Sequence, residues 1–377
     1  MGLTGEGSGQ SGDDPVFSSQ TVGELRRGLL AWYDLNRRDL PWRHTHDPYA
    51  IWVSEIMLQQ TRVAAVVGRY EAFLRNFPSV HSLAHAAEAD VLALWSGLGY
   101  YRRARMMHMA AKAVVHDHHG VMPRSSTGLR ELPGIGAYTS AAISSIAYGE
   151  QVAVVDGNVE RVAQRLAGWG SDQRSGQSAL IRQTQSLANV LLDPKRPGDF
   201  NQSMMELGAT VCLPKNPTCL VCPLKLCCKT LGEHPTPKRA RMRSQDVAYA
   251  LVIRSRGGAR TRSRGREVLL EQRAPDQSVM PGMWELPPLR DTEVAGEDLR
   301  MAVRHAIMQV NYYVRIRTVF EGDAEALTVP SDRRRWVRLS ELGALPLTGL
   351  ARKVLLRAKI AELTLASPVL ESSLAAD

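Results

Sequence analysis

All five cysteines of the chain fall between Cys212 and Cys228, four of them spaced Cys212-x6-Cys219-x2-Cys222-x5-Cys228. A disulfide framework would spread its cysteines along the chain. A cluster confined to one short loop of an intracellular protein points to metal instead. Four thiolates that meet can hold zinc or an iron–sulfur cluster. Zinc fingers usually carry two CxxC knuckles and this loop has one, so the spacing alone leaves both metals open. Cys227 is the leftover residue and is the alternative to Cys228 as fourth ligand.

The chain has 377 residues, enough for two or three domains. Its formal net charge of +9 suggests a polyanionic partner, nucleic acid ahead of membrane. No run of about 18 apolar residues occurs, so no membrane span is expected. The first residues, "MGLTGEGSGQSGDDPVFSSQ", lack both the apolar core of a secretory signal and the arginines of a transit peptide. The protein is therefore expected to stay in the compartment where it is made.

Residues 1–20 read as a disordered tail, and 21–230 as helical. Val22, Leu25, Leu29, Leu30 and Tyr33 recur at helical spacing. One or two helices are expected over 50–77, and others at 87–95, 102–118, 137–148, 157–167 and 177–192. Residues 231–246 read as a linker with a basic run from Lys238 to Arg243. Residues 247–366 change to an α+β pattern, and 367–377 form a second tail. "VAYALVIR" and "EVLLEQR" are strand-like. Further strands are expected at 312–320 and 335–339, with helices near 296–308 and 348–364. Six arginines and no acid lie between Arg254 and Arg266; this is either a solvated hairpin loop or a phosphate-gripping arm.

Two helical-region motifs carry chemistry. "LPGIGAYTSAAI" (132–143) places Gly134 and Gly136 in a tight turn ahead of a helix, where backbone N–H groups and the helix N-terminus can approach a phosphate. "AVVDGNVERV" (153–162) sets Asp156 after an apolar run at a helix start, where it can cap as well as react. Glu55 is an isolated carboxylate among Val53, Ile56 and Met57. Burial there would raise its pKa and suit it to be a general acid; the plainer alternative is a solvent-facing glutamate.

The cysteine spacing, following "LPGIG" and "VVDGNVERV" in this order, resembles the endonuclease III superfamily of DNA glycosylases over roughly residues 22–230. The resemblance implies a helix-hairpin-helix fold with a [4Fe–4S] cluster on Cys212, Cys219, Cys222 and Cys228. Members of that superfamily that also cut the DNA backbone have a lysine where Tyr138 stands. A lysine amine can form a Schiff base with the sugar and a phenol cannot, so the chain resembles a member that only removes a base. "PWR" (41–43), "WVSEIMLQQT" (52–61) and "GLGYYRRARMM" (97–107) are similar to the MutY-type adenine glycosylases, which act on adenine opposite 8-oxoguanine. That likeness implies Glu55 as general acid, Asp156 as the carboxylate facing the sugar, and Glu55 or Asn158 as the group positioning water. It also implies an adenine pocket with Arg43 and Gln202, and lesion or DNA contacts from Gln60, Thr61, Leu98, Tyr100, Gly134 and Gly136.

The C-terminal region resembles the MutT-like (Nudix-like) domain of the same family through "EVLLEQRAPDQSVMPGMWELPPL". "EDLRMAVRHAIMQV" lacks the paired glutamates of a working Nudix helix, so the expected role is lesion recognition. The family's Phe-Ser-His loop corresponds here to Ile307, Met308 and Gln309, which departs from that pattern. The short, cysteine-free linker favours a bacterial-type protein, cytoplasmic and nucleoid-associated; a eukaryotic one would be nuclear. The expected protein is thus a monomeric, monofunctional adenine glycosylase acting on double-stranded DNA with A:8-oxoguanine or A:G mispairs. The alternatives are a same-fold mismatch glycosylase for another base and a non-catalytic binder of damaged DNA.

Overall fold

Apolar side chains at helical spacing set the first helix of the computed structural model, which describes residues 16–170, 177–234, 242–255, 265–294, 296–307 and 309–360. In α1 (Ser19–Asn36) Val22, Leu25, Leu29, Leu30 and Tyr33 are the buried residues, and the Ser18 hydroxyl caps the helix on Thr21 N. The helix begins inside the stretch read as a tail, and Phe17 before it is already buried. The remainder of that tail, residues 1–15, lies outside the described residues, as do the tail 367–377 and most of the Arg-rich loop.

Among the described residues, ten more α-helices precede the sheet: α2 (Pro48–Leu58), α3 (Val63–Asn76), α4 (Val80–His85), α5 (Glu88–Trp95), α6 (Arg102–Asp117), α7 (Ser126–Leu129), α8 (Ala137–Tyr148), α9 (Gly157–Ala167), α10 (Gln177–Leu191) and α11 (Pro197–Thr210). The chain divides into two compact units. One takes Met1–Pro48, Arg124–Arg130 and Ile135–Pro237; the other takes Tyr49–Pro123, Glu131–Gly134 and Lys238–Asp377.

In the first unit α11 packs against α1, α8 and α9. Its Phe200, Met204 and Leu207 join Leu25, Leu29, Val159, Val162 and Leu191 in one core, and Cys212, Cys222, Cys227 and Cys228 pack against that core. The sequence reading missed α11. Its glycines look like helix breakers, but they permit close approach of neighbouring helices. A Cβ on Gly198 would stand 2.7 Å from Ser145 O of α8, and one on Gly208 2.5 Å from Asn158 Cβ of α9.

In the second unit, α2 to α6 accompany a sheet of β1 (Arg243–Ser255), β2 (Arg266–Gln272), β3 (Trp284–Glu285), β4 (Leu299–Ile307), β5 (Val310–Val319) and β6 (Arg334–Arg338). The strand order is β3-β2-β1-β5-β4, with β6 also on β2. The β1–β5 pair is parallel (Val247↔Val314), and the other pairs are antiparallel. One face buries Leu251, Val268, Val303 and Val314 beneath Leu350, Val354 and Leu355 of α13 (Gly349–Arg357). The other face buries Ala248, Ala250 and Val252 with Ala324 of α12 (Ala324–Leu327).

The helix expected over 296–308 is not formed: Leu299–Ile307 is a strand, paired with β5 from Leu299↔Arg317 to Ile307↔Val310. The reason lies in the alternation Met301, Val303, His305, Ile307, which are the buried or half-buried positions between exposed neighbours. The strand β1 begins at Arg243, within the stretch read as linker. Arg254 is no free phosphate-gripping arm. It pairs with Glu267 at 2.7 Å and Glu321 at 2.9 Å, its guanidinium 4.0 Å from the Trp336 ring centroid. No helix among the described residues is long and apolar enough to cross a membrane.

Candidate active site

Every residue of α2 from Tyr49 to Met57 is buried. A helix apolar all round belongs inside a core, so its one charged residue, Glu55, is carried in with it and is only 5 % exposed. The solvent-facing alternative for Glu55 is thereby excluded.

The segment after α2 turns sharply. Gln60 has φ +54° and Tyr100 φ +47°, both in the left-handed region that ordinary side chains avoid. A cavity of about 960 Å³ in this unit is lined by Gln60, Leu98, Tyr100 and Gly134, together with Met280, Arg103 and Ile307. Four residues that the sequence assigned to DNA contact thus share one cavity. Gly134 has φ +76°, and a Cβ there would stand 2.6 Å from Met106 Cβ, so this turn requires glycine twice over. Met308 lies outside the described residues. Gln309 is exposed, and its carbonyl accepts a hydrogen bond from Arg243 N at 2.9 Å.

In the other unit, Gly136 caps α8 in an extended conformation, and Tyr138 is the second residue of that helix. The phenol donates to Met205 Sδ at 3.5 Å, and the ring packs on Ala141, Ala142 and Val154. Asp156 is the N-cap of α9. Its Oδ1 accepts from Asn158 N at 2.9 Å and Val159 N at 2.8 Å, and its Oδ2 accepts from Asn158 Nδ2 at 2.8 Å. Asn158 Oδ1 in turn accepts from Arg161 Nη2 at 3.0 Å. Both ends of the Asn158 amide are therefore engaged, Nδ2 on Asp156 and Oδ1 on Arg161.

Arg43 is tied down rather than free. Its Nη2 donates to Glu206 Oε2 at 2.7 Å and its Nη1 to Arg38 O at 2.9 Å. Glu206, also bonded by Arg38, went unnoticed in the sequence, where nothing local marks an acid on α11 as the partner of residues more than 160 positions away. Burial would raise the Glu206 carboxyl, but the hydrogen bonds from Arg38 and Arg43 prevail and hold it at about 2. Gln202 is half-buried on the same helix.

The five cysteines are free and half-buried. Burial pushes the Cys222 thiol up to about 11, and Cys212, Cys228 and Cys219 push it in the same direction. The acids felt by Cys227 are Glu24 and Cys228. Arg165 Nη1 also donates to Cys212 Sγ at 3.3 Å. The thiols fit a soft metal centre by chemistry and neighbourhood, although no three potential ligands among the described residues already stand at metal-binding separation.

Residues 53–185 match the model of the HhH-GPD superfamily base excision DNA repair proteins. The structure of a thermostable thymine-DNA glycosylase is 30 % identical, with a TM-score of 0.52 over 56 % of this chain and 97 % of that one. The chain belongs to the HhH-GPD superfamily. Two curated relatives are adenine DNA glycosylases. That of Arabidopsis thaliana is 37 % identical over 339 residues, spanning 80 % of this chain and 52 % of the relative. That of Homo sapiens is 36 % identical over 342 residues, spanning 76 % and 60 %. The chain therefore spans between half and two thirds of the length of these relatives. The HhH-GPD match includes Glu55, Gln60, Tyr100, Tyr138 and Asp156; it stops short of Arg43, Gln202, the cysteines and the sheet.

Proposed function

We propose that this chain is a monofunctional adenine DNA glycosylase that removes adenine opposite 8-oxoguanine or guanine in double-stranded DNA, and that it acts as a monomer. The observation that carries the reading is Glu55, a carboxyl group held inside an otherwise apolar helix of a base-excision repair fold. The names of the relatives support adenine as the base.

The target base must leave the stack before its glycosidic bond can be reached. Glu55, entering as the neutral acid, donates its proton to N7 of adenine. As the C1′–N9 bond breaks, its electron pair passes to the base, which departs neutral. Asp156, oriented by Asn158 and the first turn of α9, faces the cationic sugar as a carboxylate and stabilises it. Water then adds to C1′, and its proton returns to Glu55. Tyr138 offers no amine, so no imine forms and the backbone is left uncut. Cys212, Cys219, Cys222 and Cys228 would hold a [4Fe–4S] cluster, whose role would be structural or in DNA engagement, and the glycosidic step would not need it. The C-terminal sheet serves as a MutT-like recognition domain.

The test is single-turnover excision from a duplex with A opposite 8-oxoguanine. Wild type should release adenine, and Glu55→Gln should abolish release with DNA affinity retained, because phosphate contacts supply most of it. Normal turnover by Glu55→Gln would sink the mechanism. The likeness to a thymine-DNA glycosylase makes a G:T duplex the necessary comparison, and preferential release of thymine would replace the adenine reading.

A further inference from the structure

Arg103, in the first turn of α6, has no role in the mechanism above, yet it joins the two segments that carry Gln60 and Tyr100. Its Nη1 donates to the carbonyl oxygens of Ile56 at 2.7 Å, Met57 at 3.2 Å and Gln59 at 2.5 Å. Its Nη2 donates to Thr61 Oγ1 and to the carbonyl oxygens of Leu98 and Gly99, each at 3.2 Å. Its guanidinium carbon lies 5.4 Å from the ring centroids of both Trp95 and Tyr100. Its own backbone N–H bonds to Tyr100 O at 2.8 Å.

The acceptors named are five carbonyls and a hydroxyl. The Ile56 and Met57 carbonyls belong to the last turn of α2, where helix carbonyls lack intrahelical partners and carry partial negative charge. The cation is thus held by backbone dipoles, and burial lowers it to about 10, which leaves it charged at neutral pH. Between its two sets of bonds sit Gln60 and Tyr100, both at positive φ and so in a conformation that persists only where the surroundings over-determine it. Both side chains nevertheless reach out: Gln60 is exposed and Tyr100 is 49 % exposed, on the same cavity.

We infer that Arg103 is a positioning residue that fixes the spacing of Gln60 and Tyr100, so that the two side chains enter the duplex as one rigid fork and drive extrusion of the target base. The inference rests on the glycosylase reading. It separates two steps of that reaction, since a fork that displaces paired bases matters only where the target base is paired. A lysine keeps the charge, but its three donors radiate from one point and cannot serve six acceptors in two segments.

The experiment compares wild type, Arg103→Lys and Thr61→Val on two duplexes, one with A opposite 8-oxoguanine and one with A opposite an abasic site. Circular dichroism checks folding. In Arg103→Lys, excision from the paired duplex should fall roughly 10- to 100-fold, the size expected for losing a charge-assisted hydrogen bond. On the abasic duplex it should stay within about threefold of wild type. With 2-aminopurine in place of the target adenine, the fluorescence rise on binding should shrink in the same variant. Thr61→Val, which removes the hydroxyl's bonds to Arg103 and to Gln59 O but no charge, should show a smaller loss with the same duplex dependence, and it decides the matter if Arg103→Lys does not fold. Equal losses on both duplexes, or no loss on either, would overturn the inference. A wild type inactive on both would overturn the glycosylase reading beneath it.

Discussion

Replacing Glu206 by glutamine tests the most deeply buried ionic cluster of the first unit. The Glu206 side chain is 1 % exposed. Its Oε1 accepts from Arg38 N at 3.1 Å and Arg38 Nε at 2.7 Å, and its Oε2 accepts from Arg38 Nη2 and Arg43 Nη2, both at 2.7 Å. The carboxyl is held at about 2 against an ordinary 4.5. At 1.36 kcal/mol per pH unit, that gap corresponds to about 3 kcal/mol of stability at neutral pH. Two corrections act in opposite directions. Arg38 is 39 % exposed and regains water when its partner goes, which reduces the loss. Arg43 is 9 % exposed and would be left as a buried charge, which raises it. A net cost of about 2–4 kcal/mol follows, or roughly 5–10 °C in the melting of a unit of about 150–250 residues. The sign with pH is fixed. The folded state depresses this carboxyl, so its contribution is complete above 4.5 and is lost as pH falls through about 2. Urea unfolding of wild type and Glu206→Gln across that range should show their difference shrinking toward zero on acidification. A difference that stays constant with pH, or one below about 0.5 kcal/mol at neutral pH, the range of an ordinary surface change, would refute the reasoning.

Glu285 should behave in the opposite way. Burial pushes it up to about 7, against the opposing hydrogen bonds of Thr348 and Leu286 N. Its protonated form is favoured by folding, so stability present below 4.5 should be lost, by roughly 3 kcal/mol, as pH rises through about 7; Glu285→Gln should flatten that slope in the same unfolding assay. Purified protein should contain about four iron atoms per chain. Cys222→Ser should lose them and Cys227→Ser keep them, with retained iron in Cys222→Ser deciding against the ligand set. Wild type should give no borohydride-trapped DNA adduct, whereas Tyr138→Lys should give one if its amine reaches the sugar carbon; robust trapping by wild type would mean another amine attacks.

The sequence by itself determined what depends on near neighbours along the chain. The spacing of Val22, Leu25, Leu29 and Tyr33 defined α1, and the start of α8 after Gly136 and of α9 after Asp156 followed from turn and capping chemistry that spans three or four residues. It also placed Glu55 in an apolar run, which is necessary for a buried acid but does not establish one. The tertiary structure decided the rest, because the causes lie in segments far apart in the chain. Gly198 and Gly208 read as helix breakers until α8 and α9 press against them. Residues 299–307 carry charges at helix-compatible positions, and pairing along β5 makes the period-two pattern prevail. The partners of Arg43 and Arg38 lie more than 160 residues away on α11. Tyr100 and Gln60 are ordinary residues in sequence. Their left-handed backbones flank carbonyls bonded by Arg103, whose guanidinium reaches both the end of α2 and the turn before α6. No window of local sequence contains both.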